Sequence, residues 1–236
     1  MNEGQPRKSD LGVRTLSAIV MLAVAGGAVW LGGVVWSVFA TLVGIAVYWE
    51  WVGLARQFSK SPAGLAVWVI FGVAYIGLAV RLLTSLEWWP QVLSFVLPVI
   101  AVDIGAYFAG RTIGGPKIAP RISPSKTWAG LGGGMLGASL VMGLILWLER
   151  GSLVCDDNAW HCVSNLGLVA EAAVYGTLIA AIAQAGDFFE SWMKRKAGVK
   201  DSAALIPGHG GLFDRVDGLI AVLFVIAIVR LFLGNL

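Results

Sequence analysis

Runs of about 20 apolar residues recur along this chain, each long enough to cross roughly 30 Å of hydrocarbon. Seven can be read, at about 16–32, 34–55, 63–83, 91–110, 127–148, 166–186 and 216–234. In lipid every backbone N–H and C=O needs a partner, so continuous apolar runs of this length are helices. Composition agrees: 58% of the 236 residues are hydrophobic and 13% are charged. The expected fold is therefore all-α, a polytopic bundle of about seven transmembrane helices. It is one membrane-embedded domain over 1–236, with N-terminal helices in 1–90 and the chemistry-bearing helices in 91–236. The apolar stretch after Arg14 runs too long for a cleavable signal and is read as a retained span.

Basic residues orient the bundle. With the N-terminus inside, 14 of the 17 Lys and Arg fall on the cytoplasmic side, and only Arg81 and Arg150 fall outside. Such a bias sets topology. The net charge of +3 then reflects orientation. A nucleic-acid partner is not expected, because no contiguous basic arm or recognition motif is present. Trp49, Trp51, Trp88, Trp89, Trp128, Trp147 and Trp192 lie toward span ends and read as an interfacial belt. Gly130 with Gly134, and Gly133 with Gly137, repeat at i, i+4 and suit close helix packing. The outer loop, 149–165, holds both cysteines, Cys155 and Cys162, and an external position would favour a disulfide between them.

One stretch resists a packing explanation. Residues 191–217 read SWMKRKAGVKDSAALIPGHGGLFDRVD, polar and glycine-punctuated between two apolar spans. Asp187, Asp214 and Asp217 are hard oxygen ligands, and Asp214 and Asp217, three apart, share a helix face. Lys194, Arg195, Lys200 and Arg215 can pair with phosphate, and Gly208, Gly210 and Gly211 let backbone N–H groups approach an anion. Upstream, Asp103 lies inside a span, where an unpaired acid is costly. Tyr107 and Arg111 follow it at one-turn intervals. Ser123-Pro124-Ser125-Lys126-Thr127 precedes the next span, where a hydroxyl can cap the helix and Lys126 can add an anion site. From the residues alone, the three aspartates hold a metal or pair with Lys194, Arg195 and Arg215 as salt bridges.

The order S-x-x-K-R-x4-K-D, then P-G-H-G-G-x-x-D-R-x-D, resembles the signature of the phosphatidate cytidylyltransferases. It runs Ser191, Lys194, Arg195, Lys200, Asp201, then Pro207, Gly208, His209, Gly210, Gly211, Asp214, Arg215, Asp217, with no departure at a fixed position. The stretch from Asp103 to Arg111 and the run from Ser123 to Trp128 are similar to the same family. The resemblance implies transfer of a cytidylyl group from CTP to phosphatidate, giving CDP-diacylglycerol and pyrophosphate. It implies Mg²⁺, with room for a second cation, on Asp187 and Asp214, with Asp217 beside them. Lys194 and Arg215 would join these acids in catalysis. Substrate contacts would come from Asp103, Tyr107, Ser123, Ser125, Lys126, Thr127, Arg195, Lys200, Asp201, His209, Gly210 and Gly211. His209 can bond a phosphate or the cytosine, or act as a base. Lys196 reads as a solvated charge, and Glu50 carries no assigned role. The partners implied are CTP, phosphatidate, the bilayer and a second copy of the chain. The site would face the cytoplasm at the inner (plasma) membrane. Two other classes stay open: a CTP-using enzyme with another lipid acceptor, such as a CDP-archaeol synthase or an isoprenoid alcohol kinase, and a transporter. The transporter would call for inverted repeats and midplane charges, whereas the polar residues here cluster at one face.

Overall fold

The computed structural model describes residues 11–86, 88–149 and 162–234. These form seven helices and one small hairpin. The helices are α1 (Leu11–Leu31), α2 (Gly33–Phe58), α3 (Pro62–Thr84), α4 (Trp89–Thr112), α5 (Trp128–Glu149), α6 (Cys162–Ala197) and α7 (Phe213–Phe232). Strands β1 (Lys117–Ala119) and β2 (Ser123–Thr127) pair antiparallel between α4 and α5. The possible bridge between Cys155 and Cys162 lies outside the described residues.

Six helices, α1 to α6, are long and apolar enough to cross a membrane. The seventh expected span coincides with α7, which carries Asp214, Arg215, Asp217 and Arg230 within 20 residues and falls short on composition. Packing explains how α7 tolerates them. Its buried face, with Gly218, Ala221, Val222 and Ala227, lies against other helices rather than lipid.

Small residues decide where helices touch. On α4 and α5, a Cβ at Gly105 would strike the Gly133 carbonyl, and one at Gly137 would meet the Ala101 carbonyl at 2.6 Å. The small-residue face read at Gly133 and Gly137 is thus a backbone-to-backbone contact. The α6–α7 crossing is built the same way: a Cβ at Gly186 would meet Ala221 Cβ at 2.5 Å and the Asp217 carbonyl at 2.8 Å. Asp187 directly follows Gly186 and Asp217 directly precedes Gly218, so this close crossing brings the two carboxylates to one level.

Two sequence expectations change. Helix α6 does not end at 186 but continues to Ala197, because nothing breaks it before Gly198, which has φ 72°. Gly198 N–H then donates to the Arg195 carbonyl and Val199 N–H to the Lys194 carbonyl, which ends the helix. At about 1.5 Å per residue it is roughly 54 Å long and overshoots the hydrocarbon. The tryptophan belt also changes, since Trp192 packs partly against the core. Trp49, Trp88, Trp89, Trp128 and Trp147 are exposed, but Trp51 is fully buried. Its ring packs against Trp68, Phe71, Tyr75, Phe189 and Phe213, and its Nε1–H donates to the Trp68 carbonyl at 2.9 Å. This aromatic core ties α2 and α3 to the end of α6 and the start of α7.

Candidate active site

The chemistry-bearing side chains gather at one end of the bundle, at the C-terminal ends of α2, α4 and α6 and the starts of α5 and α7. A polar cavity of about 660 Å³ opens there between α4, β2, α5 and α6. Asp103, Tyr107, Ser125, Lys126 and Thr127, all singled out in the sequence, line it together with Arg111. Tyr107 Oη accepts from Arg111 Nη1 at 2.7 Å, which fixes the guanidinium over the α4 end. Thr127 Oγ1 accepts from Gly130 N–H at 3.0 Å, the cap expected for α5. The Ser-Pro-Ser-Lys-Thr run is more than a cap, though: it is strand β2, with Ser123 and Thr127 buried. Ser123 is not among the residues that line the cavity, whereas Ser125, Lys126 and Thr127 are.

Lys126 pairs with Asp187 of α6. This ion pair joins two residues 61 apart and ties the Ser123–Trp128 run to α6 one turn before the 191–217 stretch. Asp217 and Asp103 lie within electrostatic reach of the same pair. A second lysine, Lys194, bonds Glu190 at 2.7 Å and Asp214 at 2.6 Å. Asp214 is heavily engaged. Its Oδ1 takes Lys194, and its Oδ2 accepts from Ser202 N–H at 3.0 Å and Gly211 N–H at 2.8 Å and lies 3.0 Å from Ser202 Oγ.

The 198–212 loop is tied down residue by residue. Gly210 has φ 82°, and a Cβ there would meet Asp214 Oδ2 at 3.1 Å. A Cβ at Gly211 would overlap Ser202 Oγ. Gly210 is thus required by turn geometry and Gly211 by the closeness of Ser202. His209 Nδ1 lies 2.8 Å from Ser17 Oγ of α1. Arg215 donates from Nε and Nη2 to the His209 carbonyl at 3.2 and 2.5 Å. Arg195 Nε points at the Ile122 carbonyl at 3.4 Å, a long contact. Lys200 and Asp201 are exposed. Among the described residues none of Arg195, Lys200, Asp201, His209 and Arg215 lines the polar cavity. A second cavity of about 430 Å³ is walled by apolar residues of α1, α2, α3, α4 and α7, with Arg215 its one charged lining residue among the described residues.

The three aspartates expected on one ion are divided between the two lysines, and among the described residues no group of three or more His, Cys, Asp or Glu is close enough to hold a metal. The donors still suit a hard cation that uses few protein ligands. Five carboxylates, those of Asp103, Asp187, Asp217, Glu190 and Asp214, stand around Lys126 and Lys194, and Glu190 Oε1 is buried without a hydrogen-bond partner.

Glu190, Glu50 and Gln184 were not among the residues selected from the sequence. Gln184 is buried and lines the polar cavity. Glu190 had a usable signal, standing three residues after Asp187 and four before Lys194. Glu50 had another, as an acid between Trp49 and Trp51 within an apolar span.

Fold and site together define a multi-pass helical membrane protein with a cavity at one end whose acids and cations suit a phosphorylated substrate. The chain belongs to the cytidylyltransferase family, whose model matches residues 67–233. It is 33% identical to the phosphatidate cytidylyltransferase of Brucella suis biovar 1 (strain 1330), with 90% of each chain covered. It is also 33% identical to that of Rickettsia felis (strain ATCC VR-1525 / URRWXCal2) over 94% of each. The phosphatidate cytidylyltransferase of Haemophilus influenzae is 42% identical over 54% of this chain and 40% of its own.

Proposed function

We propose that this chain transfers the cytidylyl group of CTP to phosphatidate, giving CDP-diacylglycerol and pyrophosphate. The observation that carries the reading is the Lys126–Asp187 ion pair, which ties the Ser123–Trp128 run to the helix that leads into the second motif, beside the polar cavity. A phosphatidate oxygen forms the new bond to the α-phosphorus of CTP, and the bond from that phosphorus to pyrophosphate breaks in line. The attacking oxygen is already an anion at neutral pH, so no general base is needed. Lys126 and Arg111 supply fixed positive charge to the triphosphate, and Tyr107 holds Arg111 in place. Ser125 and Thr127 present hydroxyls from the same wall. The acceptor arrives from the bilayer, and the apolar cavity beside α7 offers space for an acyl chain with Arg215 near it.

Mg²⁺ belongs to this reading. Asp187 and Asp217 would hold it from facing helices, and Asp214, whose Oδ1 bonds Lys194, would stand beside them to keep the α7 end in place. When bound, the ion would neutralise charge on the bridging and departing phosphates. The chain's own cations, Lys126 and Arg111, hold the nucleotide.

The site faces the cytoplasm of the inner (plasma) membrane in this reading, with seven crossings and a homodimer as the assembly. The charge bias supports the orientation. Labelling of Cys155 and Cys162 by an impermeant maleimide in intact cells, after reduction, is the expected result; labelling only after permeabilisation overturns the orientation. Cross-linking in native membranes tests the dimer. For the reaction, purified protein given CTP, Mg²⁺ and phosphatidate is expected to release pyrophosphate and form CDP-diacylglycerol. Turnover with a prenyl alcohol or an archaeal-type ether lipid, and none with phosphatidate, would overturn the acceptor assignment.

A further inference from the structure

Glu50 lies in α2, outside the residues that the family model matches. It is 2% exposed in a helix that is otherwise apolar over this turn. A carboxylate so placed is costly unless fully bonded. Its partners come from the far end of the chain. Oε1 accepts from Leu212 N–H at 2.7 Å, and Oε2 accepts from Phe213 N–H at 2.8 Å and Ser202 Oγ–H at 2.6 Å. Leu212 and Phe213 open α7, where unpaired amides and the helix dipole would otherwise attract an anion. Glu50 fills that end with a charge from within the protein, so a substrate phosphate is left to the Lys126 cavity.

Ser202 extends the connection. Its Oγ touches Glu50 Oε2 at 2.6 Å and Asp214 Oδ2 at 3.0 Å. Gly211 is packed between the same groups: a Cβ there would meet Glu50 Oε2 at 2.5 Å as well as Ser202. Beside Glu50, Trp51 packs on Phe213 and Phe189, so charge and packing from α2 converge on the junction of α6, the loop and α7.

We propose that Glu50 is a positioning residue for the transfer site: its carboxylate seats the N-terminus of α7 and, through Ser202, sets the place of Asp214. A merely stabilising acid would affect how much protein folds. A positioning acid also affects how fast each folded molecule turns over. This distinction rests on the reaction proposed above.

The test uses the full chain in detergent, with Glu50→Gln and Glu50→Asp. Glutamine keeps the length but turns an amide NH₂ toward a backbone N–H, that of Leu212 or Phe213, which can only donate. Aspartate keeps the charge and falls one methylene short. For Glu50→Gln we expect kcat per folded molecule to fall about tenfold or more, the scale of losing one charge-assisted hydrogen bond. Amide exchange over 202–213 should speed up while exchange in α4 and α5 stays as in the wild type. Glu50→Asp should fall between the two, and it carries the same comparison if Glu50→Gln does not accumulate in folded form. Wild-type kcat per folded molecule in either variant, with activity lost only through a smaller folded fraction, overturns the proposal. If wild-type protein makes no CDP-diacylglycerol, the reaction assignment fails instead. The exchange measurement then decides alone, and unchanged protection over 202–213 overturns the role of Glu50.

Discussion

Lys126 and Lys194 each stand among carboxylates, yet the two clusters are built differently. Around Lys126 the partners remain open, with the lysine and Asp187 side chains 23% and 26% exposed beside the cavity. Around Lys194 they are sealed, with Glu190 and Asp214 side chains 1% and 8% exposed. An open pair can exchange its partner for a phosphate or a metal at little cost. A sealed pair loses a buried counter-charge if either member leaves. The first cluster is suited to handling substrate, and the second to holding the loop and helix that frame it.

The largest expected effect separates the two by stability rather than by rate. Asp187→Asn should lower turnover about a thousandfold with the thermal midpoint nearly unchanged, because only the charge of an accessible carboxylate is removed. Asp214→Asn should lose as much activity and also unfold more readily, by about 3–5 kcal/mol, since Lys194 and the loop amides lose a buried acceptor. The measurement is CDP-diacylglycerol formation beside thermal unfolding in the same detergent. Equal midpoint losses would erase the distinction between the clusters.

Lys126→Ala comes next, with a loss of about a hundredfold, the scale of removing one fixed charge from a transfer site. Its effect should appear in kcat and in the KM for CTP while the fold stays intact. If Lys126→Ala instead destabilised the protein as much as Asp214→Asn, the open cluster would be structural too.

The division between the clusters also marks what could be read in advance. Apolar runs revealed the helices, because lipid permits so few alternatives for backbone polar groups. The residues of the open cluster were legible because an acid in a span and a lysine before a helix are locally anomalous. The sealed cluster was only partly legible. Lys194 and Asp214 stood in a motif, but their pairing depends on α6 running on to Ala197, set by the absence of a breaker rather than by any conspicuous residue. Trp51 reads as an interfacial residue and Glu50 gains no role from the sequence, because periodicity along one helix says nothing of the helices opposite. Their partners lie at Phe189, Ser202 and Phe213, far along the chain.

Gly211→Ala is a smaller disturbance that reaches the sealed side alone. The added methyl must displace Ser202 Oγ, and overpacking of this kind costs about 1–3 kcal/mol. Activity should fall in step with faster proteolysis of the 198–212 loop, and Mg²⁺ and CTP concentrations should not restore it. Full activity in Gly211→Ala would mean that the loop tolerates a shift of Ser202, and the sealed cluster would be looser than its hydrogen bonds suggest.

The smallest effect is expected at Lys196, which matches no fixed motif position. Its ammonium lies over the Trp192 ring, 5.6 Å from the centroid, on an exposed turn of α6. An exposed cation–π contact is worth about 0.5–1 kcal/mol. Trp192 is held independently, stacked on Phe189 with centroids 6.0 Å apart and planes 18° from parallel. Lys196→Ala should therefore leave the ring in place and turnover within about twofold of the wild type, less than 0.5 kcal/mol in activation free energy. The informative measurement compares Lys196→Ala with Lys126→Ala across a salt series. Surface charges acting through space lose their influence within a Debye length of about 8 Å at physiological ionic strength. If the two variants lost activity equally, and both losses faded with added salt, the basic residues would be acting as a diffuse field. A large loss at Lys126 that persists in salt, beside none at Lys196, is what a built cavity requires.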